Sequence, residues 1–322
     1  MTWIVWRQQR PVLITLAVGL VVGAATILLL RMLMINDINA RNLLDCVAKG
    51  IDACQGSAVR EFQNSWFDVM HVALAGMLVL PLLVGLFVGA PLFAREYEQG
   101  THTLAFTQSV SRTRWMVTKF VVAGLPALVA VGVAQVVVRS WLLAAGKLGP
   151  FAAGPFYLTN FEGSGVSPIA YTVFAYTLGM FAGALFRRTL VAMTLTLVIF
   201  VAARFVLNGV RRLMLTPTRV VYDDPIDYRI ERGPLYVDGG YLTPSGAEVD
   251  PASVSGKLNC AGRSYNTGDL VACYREHGLV KAYVDQIPVN QVMTLHLVEA
   301  SIFAGAAVLF VLGSVWAVRR QV

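Results

Sequence analysis

Six long stretches of this chain carry almost no charge, and they leave it few ways to fold. A helix needs about 20 apolar residues to cross about 30 Å of hydrocarbon. Pro11–Leu30, Val69–Ala94, Phe120–Val138, Val166–Phe186, Leu190–Val210 and Ala300–Val318 each match that requirement. The second holds His71 as its one titratable group, and the third continues past Arg139 through Ser140, Trp141, Leu142 and Leu143. The fifth contains Arg204, which makes five spans the competing count. No small-x-small cleavage site follows the first run, and it is long for the core of a signal peptide, so it reads as a retained helix. Charged residues make up 14% of the chain, against about 25% in a soluble domain. The expected fold is an all-α polytopic membrane protein of six transmembrane helices, with a small α+β extracellular domain between the fifth and sixth. In residue numbers, the spans lie within 1–34 (with an N-terminal interfacial segment), 69–94, 120–145, 166–186, 189–210 and 292–318. Segments 35–68, 95–119, 146–165 and 211–291 join them, and 319–322 is a tail.

Charge bias sets the expected orientation. With both termini in the cytoplasm, the inner pieces hold Arg7, Arg10, Arg95, Arg112, Arg114, Lys119, Arg187, Arg188, Arg319 and Arg320 against only Glu96 and Glu98. The remaining 16 Lys and Arg face 17 Asp and Glu. Lys and Arg in short loops at span ends mark the cytoplasmic side, so inside termini in a cell (inner or plasma) membrane are expected. The net charge of +7 is spread along the flanks of apolar runs, so a nucleic-acid partner is not expected and the lipid bilayer is.

All four cysteines fall in the two long external segments: Cys46 and Cys54 in the first, Cys260 and Cys273 in the last. An even count on an oxidising side suggests disulfides. Three pairings are possible, of which the local one closes the shortest loops; unpaired thiols are the alternative. A zinc site is disfavoured because His277 is the one nearby imidazole and no C-x-x-C occurs. Arg219-Val220-Val221-Tyr222 and Leu235-Tyr236-Val237 have the composition of short strands.

The spans carry few ionisable groups: His71, Arg139, Arg204, His296 and Glu299. Near a helix end such groups can snorkel to the interface. A sharper expectation pairs Arg204 with Glu299 across the fifth and sixth helices. Gly19/Gly23, Gly85/Gly89 and Gly179/Gly183 have the G-x-x-x-G spacing that lets helices approach closely. No G-x-x-x-x-G-K-[ST], H-E-x-x-H or G-x-S-x-G occurs, so ATP binding through a P-loop and catalysis by this chain are not expected, nor is a resident metal.

The segment from Arg95 to Lys119 is the most informative. A charged helix end, Arg95-Glu96-Tyr97-Glu98, meets Gly100, which can stop a helix. Thr101 or Thr103 can cap the next one, with Leu104, Ala105 and Gln108 at helical spacing. Ser111, Arg112 and Lys119 then open the third span. This pattern resembles the permease subunits of type-2 ABC exporters, in which an Arg-Glu helix end, Gly-Thr, a short coupling helix, Ser-Arg and Lys follow one another. The match is sharp only across Pro91–Lys119, but the helix count and large last external loop with its disulfide also fit. Met1–Arg10 is brief for the family's amphipathic connecting helix, although Trp3, Ile4 and Trp6 suit an interface.

The resemblance implies a separate ABC ATPase subunit that carries ATP and Mg, docked through Arg95, Glu96, Glu98, Gly100, Thr101, Leu104, Ser111 and Arg112. It also implies a second membrane subunit, identical or homologous. The uncharged span centres suit an amphipathic or hydrophobic cargo such as a drug, lipid or peptide. The competing readings are a membrane sensor or scaffold whose external disulfide-bonded domain binds a ligand, and an intramembrane enzyme using His71, His296 or Glu299.

Overall fold

The computed structural model describes residues 2–50, 56–100, 112–226, 233–254, 260 and 267–320. The chain divides into two compact units. One comprises Met1–Ala152, Tyr157–Asn208 and His296–Val322, the other Ala153–Phe156 and Gly209–Leu295.

The first unit is helical. Its long elements are α1 (Thr2–Ala40), α3 (Ser57–Val84) and α5 (Arg112–Ala144), followed by α7 (Ser167–Phe186), α8 (Thr189–Val210) and α11 (Val292–Arg319). Short helices α2 (Leu44–Lys49), α4 (Pro91–Glu98) and α6 (Leu158–Glu162) lie between them. Six of the helical stretches are long and apolar enough to cross a membrane, as the uncharged runs require. Arg204 does not interrupt α8, and the count of six holds among the described residues. One cluster of buried side chains gathers Met34, Phe62, Leu74 and Trp141. A second gathers Phe93, Trp115, Met116 and Tyr176, and a third joins Tyr171, Phe174, Phe200 and Phe303.

The helices overrun the apolar runs, for an electrostatic reason. The segment at 35–68 reads as a polar loop, yet α1 continues to Ala40 and α3 begins at Ser57. Arg41 meets Asp37 at 2.7 Å and Glu61 at 2.5 Å, and the Trp66 indole N–H donates to Asp37 at 2.9 Å. These charges satisfy one another between two helix ends. At the start of the chain the expected interfacial segment is continuous with α1, Pro11 included.

Two of the three G-x-x-x-G spacings meet each other. Gly85–Gly89 forms a π turn between α3 and α4, closed by the Ala90 N–H donating to the Gly85 carbonyl at 2.9 Å. A Cβ on Gly85 would lie 2.7 Å from the Ala175 carbonyl oxygen, and one on Gly89 2.5 Å from that of Tyr176. Gly179 and Gly183 face the same turn from α7: a Cβ there would lie 2.8 Å from Ala90 N and 2.5 Å from Ala90 O respectively. Only glycine permits backbones this close.

The second unit holds a four-stranded antiparallel sheet of β1 (Thr218–Tyr222), β2 (Leu235–Leu242), β3 (Glu248–Val249) and β4 (Lys281–Ile287), in the order β1-β4-β2-β3. Both strands expected from composition are present. The pairing of β2 with β4 slips between Tyr236 and Asp238, leaving Val237 as a bulge. Helices α9 (Pro251–Val254) and α10 (Thr267–Glu276) complete the unit. A disulfide joins Cys260 to Cys273, with Cα atoms 6.0 Å apart, which is the local pairing. Cys46 is also disulfide-bonded; Cys54 lies outside the described residues. Across the sheet, Arg219 grips Asp285 through two bonds of 2.8 and 2.7 Å and reaches Glu248 at 2.5 Å. Hydrogen bonds from Arg219 hold both carboxyls below their usual range.

Candidate functional site

Two groups of polar side chains occupy opposite ends of α7 and α8. The first surrounds the helix end that leads into segment 101–111. Lys119, in the second turn of α5, is 1% exposed and forms an ion pair with Glu96 of α4. Its ammonium lies 4.5 Å from the centroid of the Trp115 ring and 6.0 Å from that of Phe93. A lysine buried this far requires a carboxylate partner, so Glu96 fixes α4 against α5.

Glu98, two residues on, binds α8. One carboxylate oxygen accepts the Thr189 N–H at 2.8 Å, and the other accepts the Thr189 hydroxyl proton at 2.7 Å. Thr189 is the first residue of α8. Glu98 thereby serves as a cap supplied from another helix, where an anion is favoured by the unsatisfied N–H groups and the helix dipole. Only Arg187 and Arg188 separate α7 from α8; Arg187 takes the left-handed conformation (φ 57°) and lays its guanidinium 5.7 Å from the Tyr97 ring centroid. Gly100 then ends the helix at φ 67°, as a C-terminal glycine does.

Of the expected coupling residues, Arg95, Glu96, Glu98 and Gly100 therefore cluster at the end of α4, with Arg95 exposed. Arg112 is the first residue of α5, and its side chain is not described; Thr101, Leu104 and Ser111 lie outside the described residues. Sequence reasoning placed Glu96 and Lys119 in one motif without pairing them, and missed Thr189, Tyr97 and Arg187 as contacts. The signal for Thr189 was present in Arg187-Arg188-Thr189, a break followed by a capping-type residue.

At the other end, Arg204 of α8 forms its ion pair with Glu162 of α6. The expected partner, Glu299 of α11, instead accepts the Tyr171 hydroxyl proton at 2.8 Å. Tyr171 stands between the two: the Arg204 guanidinium lies 4.0 Å from its ring centroid. The Arg204–Glu299 pairing is thus corrected to Arg204–Glu162. The reason is local, because α6 folds within a segment that reads as a plain loop and delivers a nearer carboxylate. His296 and Glu299 do not snorkel either; they are 4% and 1% exposed. His296 stacks on Phe161 with ring centroids 3.9 Å apart, and its Nδ1 is 2.7 Å from the Ser167 hydroxyl. Ser167 and Tyr171 are each 0% exposed, so these hydroxyls have no open face for a reactant. Chemically, this end is a buried network joining four helices. His71 and Arg139 take no part: His71 faces the Phe67 carbonyl at 2.9 Å, and Arg139 is exposed.

These features agree with comparison to known proteins. A family model described as ABC-2 membrane transporter related matches residues 17–212, more than half of the chain and all of the coupling segment. No curated protein and no solved structure matches. Six apolar helices and this match make the molecule a multi-pass membrane protein, and the chain belongs to the ABC-2 membrane transporter related family, whose members are permease subunits that work with an ABC ATPase.

Proposed function

We propose that this chain is the membrane-spanning subunit of an ATP-driven exporter that moves an amphipathic or hydrophobic cargo, such as a drug, lipid or peptide, out of the cytoplasm. Both termini and the 95–119 segment face the cytoplasm of a cell membrane. A partner ABC ATPase binds ATP and Mg and docks on that segment, and a second membrane subunit, identical or homologous, completes the path. The observation that supports this reading is the double attachment of α4: Glu96 to Lys119 of α5, and Glu98 to the first residue of α8. A displacement applied to segment 101–111 reaches two spans through short, charge-assisted contacts. Glu96 and Glu98 accordingly transmit the stroke, while the docking surface belongs to residues beyond Gly100.

The test is an affinity pull-down in mild detergent, comparing wild type with Gly100→Leu/Leu104→Glu. An ABC ATPase is expected with wild type and absent from the variant, and Gly100→Ala alone, which carries the strain at φ 67° without the Leu104 change, should keep the ATPase. If monodisperse wild-type protein brings down no ATPase, the exporter reading fails and the external domain becomes the place to seek a sensed ligand.

A further inference from the structure

Segment 101–111, which joins α4 to α5, holds no Asp, Glu, Lys or Arg. A segment of that composition cannot orient a partner from a distance, so charge must come from its surroundings. The acids at this end are Glu96 and Glu98, and the fold engages both: Glu96 with Lys119, Glu98 with the N–H and hydroxyl of Thr189. Around them Arg95, Arg187 and Arg188 are exposed. Arg187 lays its guanidinium 5.7 Å from the Tyr97 ring centroid, and Arg95 and Arg188 both lie within electrostatic range of the Glu98 carboxylate. Three guanidiniums from two segments therefore converge on the one helix end that leads into 101–111. Glu96 and Lys119 cancel, and Glu98 offsets one arginine, so the surface presented there is cationic.

We propose that Arg95, Arg187 and Arg188 form a cationic rim that steers an acidic face of the ABC ATPase onto segment 101–111. The inference rests on the exporter reading above and names the chemistry of its partner. The uncharged segment makes the contact, and the rim sets how fast and in which orientation the contact is made. Guanidiniums match carboxylates in fork geometry, and charges at the rim of an interface act on the rate of association more than on dissociation. Lipid phosphate would satisfy arginines anywhere around the helices. Their convergence on a single helix end favours a protein partner.

The probe is the ABC ATPase recovered with the wild-type chain, purified and bound again to the full-length protein in phosphatidylcholine nanodiscs. Association and dissociation rates are read by biolayer interferometry at about 0.1 M and about 1 M salt, between which the Debye length falls from about 10 Å to about 3 Å. For the wild type the association rate should fall at least about tenfold, as in a steered encounter, with dissociation little changed. Arg95→Gln/Arg188→Gln should start near the lower rate and lose most of the salt dependence. Arg95→Lys/Arg188→Lys should keep both. The two positions are exposed, so the fold should survive either change. Arg187 is left in place because its φ of 57° and its contact with Tyr97 shape the turn. An association rate indifferent to salt, or equal in the glutamine variant and the wild type, would overturn the rim and leave the exporter reading standing. So would a glutamine variant altered only in its retention of phosphatidylglycerol over phosphatidylcholine, which would give the arginines to lipid. Absence of any ATPase from the wild type would remove the exporter reading and the rim with it.

Discussion

Lys119 shows how one buried charge can organise a helix end. Its ammonium is withdrawn from solvent among Trp115 and Phe93, and Glu96 compensates it. Removing one member of such a pair leaves the other charge uncompensated, at a cost of about 3–5 kcal/mol. Glu96→Gln should therefore lower the thermal midpoint in detergent markedly, and Glu96→Gln/Lys119→Met should recover most of the loss. The network at the far end allows a sharper choice. Arg204→Glu/Glu162→Arg should restore folding lost in either single variant, as read by size-exclusion profile, whereas Arg204→Glu/Glu299→Arg should not. The charged residues themselves were visible in the sequence because they interrupt apolar runs, but their partners were not. Glu162 sits on a five-residue helix in a segment with no apolar periodicity, and nothing in the chain's pattern brings it to α8.

At the scale of elements, helix packing depends on absent side chains. Three G-x-x-x-G spacings were legible, yet the spacing does not say which stripe meets which. Backbone proximity answers that: Gly85/Gly89 and Gly179/Gly183 interlock, while a Cβ on Gly19 or Gly23 would meet nothing within 4 Å. Gly179→Ala forces a methyl into Ala90 N at 2.8 Å, where overpacking costs about 1–3 kcal/mol. Its thermal midpoint should fall, while Gly19→Ala, which meets open space, should leave the midpoint unchanged. Helix boundaries were less legible than helix existence. Hydropathy marks where lipid contact ends, and Asp37, Arg41 and Glu61 carry α1 and α3 beyond that point through contacts between distant residues.

Across the whole molecule, the sheet answers to acid differently from helices α7 and α11. In the second unit Arg219 lowers Asp285 and Glu248, and Lys281, at 2.7 Å, lowers Asp223. A carboxyl with a lowered folded-state pKa contributes stability that is present above its unfolded value, near pH 4. That contribution is lost as pH falls through the lowered value. Hydrogen exchange on the full chain should show amides of β1 and β4 losing protection as pH falls below about 4, with α7 and α11 little changed. Equal loss in α7 and α11 would refute this assignment. The α+β character of this unit was legible from strand composition and its position between the last two spans. Its sheet order was not, since β1 joins β4 across more than fifty residues of chain.

The π turn has a consequence for all that follows it. A turn closed from residue i to i+5 holds one residue more than an α turn, and one residue corresponds to about 100° of helical phase. The direction in which α4 presents its side chains is therefore a discrete quantity, set by the residue count between Gly85 and Gly89. Shortening that stretch by one residue would turn Glu96 from Lys119 and Glu98 from Thr189 in a single step, with α3 unmoved. Both contacts engage or release together, because they ride on the same azimuth.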